Sequence, residues 1–471
     1  MDERGNRHIV VAGAGLAGLA SAVWLAERGY RVTLLEKRGR LGGRTMSFDV
    51  AGLDEPVDNG PHLFAGCYDA LLRYVDTIGT TDQLLWDAPP FAIRTGADEL
   101  LTLRGPDWWP LSMRRTLGLA WMAWPPIPVR DRPAVLRVWA ALLRQAVRPD
   151  PALDEITVSR WFDRLRVPAS FRELVLDQFV IGLLNEKPDR VSAYTFAQTL
   201  NFVGKRARRN VRAGDAVWPR VSLHDLFVAP AERYLAERGA VIRTGSGVDD
   251  VELEGDRVTG VRLRDGELLA ADAVVLAIPP WALTTLLDRG ALGLHDHFAP
   301  ARKIEAAPIS SVYVWLDRPL GLRRYAENLR GTTIEWVFDT GRMQGTAPEG
   351  VDAAGAGHCY ALAVSASWDV VHTPNAEFIA AALESLRANY PVMAEAEVLR
   401  THVIHQPQAT FSAQPGFEAL RLAQRTPLDG LFLAGDWTDT ELPSTMEAAA
   451  ESAVRAVDEV ARYLTAAPAP H

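Results

Sequence analysis

The chain has 471 residues, 48% of them hydrophobic and 23% charged, and 50 Lys and Arg against 59 Asp and Glu give a net charge of −9. This length predicts two domains, and the negative charge argues against a nucleic-acid partner. Cys67 and Cys359 are the only cysteines, too few for a disulfide framework, which favours a reducing, cytoplasmic compartment. No run of 18 apolar residues and no secretory leader pattern is present, so we expect no membrane-spanning helix.

The first pattern in the chain predicts a β-α-β unit that binds a dinucleotide. An apolar strand, "HIVVA", leads into Gly13, Gly15 and Gly18, and a helix follows. In the G-x-G-x-x-G motif the first glycine allows a tight turn, the second lets the backbone approach a pyrophosphate, and the third allows close packing of helix on strand. The next strand, "YRVTLLE", ends in Glu36, where an acid accepts a ribose hydroxyl. The alternative is a tight turn that holds no ligand.

A second glycine pair favours FAD over a nicotinamide dinucleotide. Gly42 and Gly43 allow another close backbone approach, and Arg44 supplies a permanent planar cation for phosphate. Near the other end of the chain, an apolar strand leads to Asp436, and a helix is predicted to begin near Met446. Asp436 would bond to ribityl or phosphate oxygens, and the positive end of the helix dipole would stabilise negative charge on the flavin.

The remaining patterns predict how the chain is organised. "GVDDVELEGDRVTGVRLRDGELLAADAVVL" predicts hairpins, "ISSVYVWLDRPL" and "HCYALAVSAS" predict strands of a second sheet, and "NAEFIAAALESLRANY" predicts a helix. We expect a mixed α/β fold. In it, a Rossmann-like FAD-binding domain of the glutathione-reductase type is interleaved with a substrate domain of mixed sheet and helices. The FAD-binding domain takes residues 1–85, 216–285 and 406–465, the substrate domain takes 86–215 and 286–405, and 466–471 form a loose tail.

Two segments raise the question of a membrane contact. Residues 107–132 concentrate tryptophans among Leu, Met and Pro, with arginines beside them; the tryptophans are Trp108, Trp109, Trp121 and Trp124. Trp favours the level of lipid headgroups and Arg favours anionic phosphates. We expect a membrane-docking segment at the mouth of a tunnel, with a Trp-rich helical core as the alternative. The basic run 204–214 predicts a solvated loop or a second phosphate contact. The predicted localisation is cytoplasmic, peripheral on the inner face of the membrane.

The motifs together resemble the flavin-containing amine oxidase and phytoene desaturase superfamily. "GAGLAGL", "GRLGGR", "VDNGPH", "LAGDWT" and "STMEAA" carry the resemblance over nearly the full length. The resemblance implies FAD as cofactor and places around it Gly13, Gly15, Gly18, Glu36, Arg44, Val248, Asp436 and Met446; Gly42 and Gly43 join this set through the close backbone approach described above. Val248 would contact adenine through its backbone, or else be an ordinary strand residue of the core. Met446 would present its N–H to the flavin.

A closer resemblance is to the squalene-associated FAD-dependent desaturases, or hydroxysqualene dehydroxylases. It is carried by "VDNGPHLFAGCYDALLRYVDTIG", "LLNEKPDRVSAYTF", "EWVFDTGR" and "QATFSAQPGFEALRLAQRTPLDG", although Pro61 and Glu186 depart from the usual residues. It implies a long hydrophobic isoprenoid substrate and an electron donor that the sequence does not identify. An allylic alcohol would lose water, and reduced FAD would deliver hydride to the cation. His62 and Glu186 are the candidate acids that help hydroxide leave; the alternatives are a core histidine and a surface acid.

Three other functions stay open. A carotenoid desaturase of the phytoene or zeta-carotene type would share fold, cofactor and tunnel with the opposite electron flow. A flavin amine oxidase is disfavoured by Ser444 and Thr445, which stand where such enzymes carry a large aromatic, although Lys303 falls in the region of a flavin-proximal lysine. A non-catalytic prenyl-lipid carrier would not need the intact FAD motifs.

Overall fold

The computed structural model describes residues 6–50, 56–87, 92–97, 99–102, 126–349 and 357–466. In these ranges the strands are β1 (His8–Ala12), β2 (Arg31–Leu35), β3 (Ser47–Phe48), β4 (Val57–Asp58), β5 (Phe64–Ala65), β6 (Leu84–Asp87), β7 (Ala92–Arg94), β8 (Leu100–Thr102), β9 (Ala216–Pro219), β10 (Val241–Arg243), β11 (Val248–Glu254), β12 (Arg257–Leu263), β13 (Leu268–Ala270), β14 (Ala273–Leu276), β15 (Ala306–Leu316), β16 (Ala326–Leu329), β17 (Trp336–Phe338), β18 (His358–Val364), β19 (Val398–Phe411) and β20 (Leu431–Leu433). The α-helices of five or more residues are α1 (Leu16–Glu27), α2 (Asp69–Thr77), α3 (Arg132–Val147), α4 (Val158–Arg164), α5 (Asp177–Leu184), α6 (Ala193–Ala207), α7 (Ala229–Glu237), α8 (Pro280–Arg289), α9 (Thr340–Gln344), α10 (Asn375–Asn389) and α11 (Met446–Ala466).

A five-stranded parallel sheet organises the dinucleotide half of the molecule. Its order is β10-β2-β1-β14-β20, and every neighbouring pair is parallel. All five residues of β1 are buried, as expected for a parallel strand covered on both faces. Helices α1, α7 and α11 share one hydrophobic cluster with alternate residues of this sheet. Because the carboxyl ends of parallel strands meet at one edge, the loops after β1, β14 and β20 lie together there.

The predicted hairpins form a three-stranded antiparallel sheet of order β11-β12-β13. The turns use Gly255 at a φ of +61° and Gly266 at a φ of +89°, a left-handed conformation that glycine adopts without strain. This sheet packs into the cluster that covers the opposite face of the parallel sheet. The alternating pattern of the sequence is therefore confirmed here as hairpins.

The second large sheet has seven strands in the order β19-β15-β18-β17-β16-β7-β8. It contains the two strands predicted from "ISSVYVWLDRPL" and "HCYALAVSAS", now β15 and β18, which pair antiparallel. The predicted helix α10 covers one face, where Val312, Leu362 and Phe378 share a cluster. The opposite face carries Ser311 and Ala363, which line the main cavity.

Helices α3 to α6 form a helical layer whose buried residues belong to the same cluster as one face of the parallel sheet. Among the described helices, none combines the length and the apolar character needed to cross a bilayer. The predicted docking segment 107–132, with its four tryptophans, lies outside the described residues up to position 125, and so does the predicted tail beyond Ala466. The predicted domain boundary after residue 405 falls inside β19, which pairs with β15 along its length. We propose to place that boundary after Phe411.

Candidate active site

The turn after β1 is built so that two of its three glycines cannot carry a side chain. Gly13 has a φ of +100°, and a Cβ there would lie 2.4 Å from the carbonyl oxygen of Ala277. A Cβ on Gly18 would lie 1.8 Å from the carbonyl oxygen of Gly13. Gly15 differs, because a Cβ there would meet nothing within 4 Å, and this residue lines the main cavity. The turn therefore leaves open space against the backbone of Gly15, as a bound pyrophosphate requires.

The second glycine pair closes on the first turn. Gly42 has a φ of +101°, and its N–H donates to the carbonyl oxygen of Ala14 at 2.8 Å. Gly43 has a φ of +57°, and a Cβ there would lie 2.9 Å from the Cα of Gly15. Both the left-handed conformation and the close contact favour glycine. The two loops thus form one cradle of main chain at the carboxyl edge of the parallel sheet.

Glu36 and Val248 lie at one end of the same cavity. Glu36 is buried; its Oε2 accepts a hydrogen bond from the N–H of Ala14, and its Oε1 accepts one from the N–H of Arg38, both at 2.9 Å. Each carboxylate oxygen has a further lone pair, so a ribose hydroxyl still has an acceptor. Arg264 lines the cavity near Val248. The structure brings these residues together, and their contact with adenosine stays a prediction.

Arg44 and Asp436, predicted separately to contact the cofactor, are bound to each other. Nη2 of Arg44 donates to Oδ1 of Asp436 at 2.6 Å and Nη1 donates to Oδ2 at 3.2 Å, a bidentate pair. Nη1 also donates to the carbonyl oxygen of Ala409 at 2.9 Å, and the hydroxyl of Ser444 donates to Asp436. Both charged residues line the cavity. They present a rigid ion pair there, a pairing that the sequence analysis missed.

Helix α11 begins at Met446, as predicted, and its first turn lies at the cavity. Thr445 caps it, because its Oγ1 accepts from the N–H of Ala448 and its carbonyl oxygen accepts from the N–H of Ala449, both at 3.1 Å. The next residue, Glu447, is buried and accepts from the first N–H groups of α2. Burial raises the pKa of Glu447 to about 7. The positive end of α11 is thus available to negative charge in the cavity.

His62 lines the cavity close in sequence to Gly60 and Pro61, which line it as well. Its Nδ1 lies 2.9 Å from the carbonyl oxygen of Gly60, so Nδ1 carries the proton and donates. Burial lowers the pKa of His62 below its ordinary value. At neutral pH the ring is therefore uncharged, and Nε2 offers a lone pair to the cavity. In this state the residue is a hydrogen-bond acceptor and a base.

Glu186, the second candidate acid, is not at the cavity with His62. It is fully buried, is not among the described residues that line the cavity, and follows Asn185, whose φ of +50° ends α5. Its carboxylate accepts from Nε1 of Trp368 at 2.9 Å and from the hydroxyl of Ser412, and it pairs with Arg190 at 3.3 Å. These contacts indicate a structural acceptor. Lys303, the residue considered for an amine oxidase, is exposed and also does not line the cavity.

The cavity continues from the glycine cradle into an apolar arm, and its volume is about 1330 Å³. One wall of the arm comes from α3, α5 and α6, and the other from the seven-stranded sheet. Its apolar lining includes Trp139, Leu142, Phe179, Leu183, Leu200, Val203, Ile309, Trp336 and Ile404. This volume exceeds the ~300–1,000 Å³ of an ordinary small-molecule pocket. The cavity therefore has space for a long apolar ligand beside a dinucleotide.

A rim of cations and exposed apolar side chains lies where α3 and α6 end, and we call it the α3–α6 rim. Lys205, Arg208 and Arg209 line the cavity and are exposed, without a partner among the described residues. Val211, two residues after Arg209, is 52% exposed, and Val147, the last residue of α3, is 86% exposed. The other two cations of the basic run are paired within the protein, Arg206 with Asp69 and Arg212 with Asp215.

Sequence reasoning also missed Tyr68, which lines the cavity together with Thr445 and Met446. Burial raises the pKa of this phenol, so it stays neutral. A tyrosine just before α2 gives no signal in the sequence, because Thr445 is far away in the chain. Its position next to Met446 depends on the packing of α2 against α11.

The parallel sheet, the double glycine cradle and the helix directed at the cavity define an FAD-dependent oxidoreductase. The cradle fits FAD in two respects. Side chains at Gly13 and Gly43 would collide with neighbouring backbone, which keeps the two loops close together, and the backbone of Gly15 faces open space. The model of the flavin containing amine oxidoreductase family matches residues 16–461, and the chain belongs to that family.

Two relatives and one solved structure show which kinds of protein this chain resembles. A 15-cis-phytoene desaturase of Capsicum annuum is 27% identical over 94% of this chain and 75% of its own length. A hydroxysqualene dehydroxylase of Rhodopseudomonas palustris is 27% identical over 97% of this chain and 98% of its own. The solved structure of cyclohexylamine oxidase from Brevibacterium oxydans has a TM-score of 0.72, with 19% identity over 98% of this chain and 99% of that one. That last likeness concerns the fold.

Proposed function

We propose that the protein transfers hydride between FAD and a long isoprenoid, most specifically that it reduces hydroxysqualene to squalene with loss of water. The observation that carries the proposal is the apolar arm, which leads from the helices α3, α5 and α6 to the glycine cradle. Similarity along nearly the whole chain to a hydroxysqualene dehydroxylase supports the same substrate class. Apolar side chains dominate the described lining of the arm, which suits a long hydrocarbon.

In this proposal FAD, when bound and reduced, supplies the hydride; an external reductant that the sequence does not identify restores it. The apolar arm aligns the isoprenoid and keeps water from the allylic cation that remains when the hydroxyl leaves. His62 accepts a hydrogen bond from the substrate hydroxyl at Nε2, and its protonated form donates to the departing oxygen. The low pKa of His62 makes this protonated form scarce at neutral pH.

The resting state of His62 favours a second candidate, desaturation of a polyene. A desaturase removes hydride from an allylic carbon and then needs a base for the neighbouring proton. An uncharged imidazole with a free Nε2 lone pair is such a base. The similarity to phytoene desaturase over 94% of the chain supports this reading as well.

The pH dependence of single turnovers separates the two candidates. The reduced protein would be mixed with hydroxysqualene, and the oxidised protein with phytoene, at a series of pH values in the same detergent. Dehydroxylation requires protonated His62, so its rate falls as the pH rises through the lowered pKa. Desaturation requires the neutral ring, so its rate falls as the pH decreases. Conversion of only one of the two substrates decides the direction of electron flow, and conversion of neither refutes both candidates.

We also propose that the α3–α6 rim rests on a membrane that contains anionic lipids, so that the isoprenoid enters the arm from the bilayer. Cations beside exposed Val147 and Val211 suit a headgroup surface above acyl chains. The test is co-sedimentation with vesicles of phosphatidylglycerol and phosphatidylcholine. A variant with Gln at Lys205, Arg208 and Arg209 should bind at least tenfold more weakly, whereas a charge-matched control with Gln at Arg233, Arg257 and Lys303 should not. Equal binding by the two variants contradicts the docking proposal.

A further inference from the structure

We propose that the aromatic ring of Tyr68 stabilises the positive charge that develops on the isoprenoid during hydride transfer. This inference rests on the proposed function, because an allylic cation arises in dehydroxylation and in hydride abstraction alike. It adds a residue and a physical role that the motifs of the sequence do not indicate. The ring acts through its π face and exchanges no atom or electron with the substrate.

The position of Tyr68 is fixed from two sides. It directly precedes α2, and its side chain packs against the cluster that joins α1, α2 and α11. Met446, the first residue of α11, packs against the same cluster, and Tyr68, Thr445 and Met446 all line the cavity. The ring therefore lies at the end of the cavity where α11 begins and where the flavin ring is predicted.

Burial raises the pKa of Tyr68 above its ordinary value, so the phenol is neutral. A neutral phenol has no full charge to pair with an allylic cation, so the attraction it offers to that cation comes from the negative face of its ring. Tyr68→Phe separates the two parts of the side chain, because it removes the hydroxyl and keeps the ring.

The carboxylates that line the cavity do not provide a counter-charge for the cation at the flavin end. Among the described residues that line it, the carboxylates are Glu36, Asp215, Asp249 and Asp436. Asp436 is bound bidentately by Arg44, and Asp215 pairs with Arg212. Glu36 and Asp249 lie at the predicted adenosine end, with Val248. No unpaired carboxylate of the described lining thus faces a cation at the flavin end, and the ring of Tyr68 is an electron-rich group that lines the cavity beside Met446.

The step balances without a contribution of atoms from Tyr68. The allylic C–O bond breaks, and its electron pair leaves with the oxygen, which takes a proton and departs as water. The cationic carbon then accepts a hydride from reduced FAD, which is oxidised by two electrons and restored by the external reductant. In a test the reductant is dithionite, removed before mixing. The ring lowers the energy of the cation between these two events.

A series of fluorinated residues at position 68 measures the role of the π face. Tyr68→Phe removes the hydroxyl but keeps the ring, and Phe analogues with one, two and three ring fluorines progressively weaken its negative face. We expect the logarithm of the single-turnover rate to fall linearly along the series, by about 10- to 30-fold in total, as for a desolvated cation–π contact. The matched control is the same series at Phe378, a residue of α10 that is buried against the far side of the seven-stranded sheet. The rate should not change there.

A binding measurement provides a readout that does not depend on turnover. The probes are an isoprenoid ammonium, whose nitrogen replaces the carbinol carbon, and the matching neutral hydrocarbon, each titrated into the oxidised holoprotein. The Kd of the ammonium should rise along the fluorination series, and the Kd of the hydrocarbon should stay constant. A flat series for the ammonium overturns the inference, and so does an equal loss of both probes or a loss of bound FAD in all variants. If the wild type fails to convert hydroxysqualene, the proposed substrate fails, whereas the ammonium series still decides the role of Tyr68.

Discussion

Replacing Gly15 with alanine should separate cofactor binding from folding. Gly15 has a φ of −73° and a ψ of −178°, which any residue adopts, and no protein atom lies within 4 Å of the added Cβ. The stability of the apoprotein should therefore stay within about 1 kcal/mol of the wild type, because the reduced freedom of the unfolded chain offsets the poorer N-cap that alanine gives α1. The methyl group would occupy the space where the pyrophosphate meets the backbone. Loss of one hydrogen bond to a charged group costs ~1.5–3 kcal/mol, which weakens FAD about 10- to 150-fold.

The assay pairs FAD titration of apoprotein, followed by flavin fluorescence, with urea denaturation of the same sample. Gly13→Ala is the contrasting variant, since its Cβ would lie 2.4 Å from the carbonyl oxygen of Ala277 at a φ of +100°. That variant should lose stability and FAD together. Two results would refute the reasoning: Gly15→Ala that binds FAD as tightly as the wild type, or Gly15→Ala that unfolds at a clearly lower urea concentration.

Three further predictions concern charged and titratable groups. Asp436→Asn removes the charge from the bidentate pair with Arg44, so FAD should bind about tenfold more weakly in the same titration. The rate of hydroxysqualene reduction should fall as the pH rises through the lowered pKa of His62, measured by single turnovers between pH 5 and 8. Glu447 has its pKa raised from 4.5 to about 7, so its stabilising protonated form is lost as the pH rises through that range. Through Glu447 alone, urea denaturation should show up to ~3 kcal/mol of stability lost between pH 4.5 and 8. Glu447→Gln should reduce this dependence without removing it, because burial raises the pKa of Glu335 to about 7 as well.

For each of these three predictions, one result would contradict the reasoning. Unchanged FAD affinity in Asp436→Asn would show that the ion pair does not support the cofactor. A rate that rises with pH would assign His62 the role of base, and His62→Ala should abolish either profile. An unaltered pH dependence of stability in Glu447→Gln would show that the carboxylate is ionised in the folded protein.

Local patterns in the sequence predicted the local structure well. The turn at Gly13 and Gly18 depends on close contacts within one β-α-β unit, and β15 and α10 follow from periodicity. The pairing of Arg44 with Asp436 joins positions 392 apart, and no pattern in either segment encodes it. The same holds for Tyr68, whose place at the cavity depends on packing between helices distant in sequence.

Glu186 is a residue that the sequence offered for the site and that the structure places outside the cavity lining. The sequence analysis considers Glu186 as a candidate for proton transfer, with a surface acid as the alternative. In the structure Glu186 follows the left-handed Asn185 that ends α5, and its buried carboxylate binds Trp368, Ser412 and Arg190. The type of a residue and the segment that contains it do not predict where its side chain points when a residue in the left-handed conformation precedes it.

The most direct test of the central claim is an anaerobic single turnover with hydroxysqualene. The purified flavoprotein is reduced, the alcohol is added in detergent, and flavin absorbance is followed while lipids are extracted for mass analysis. The proposal predicts that the flavin is reoxidised and that one squalene forms per flavin. A flavin that stays reduced, with the alcohol recovered intact, would contradict it.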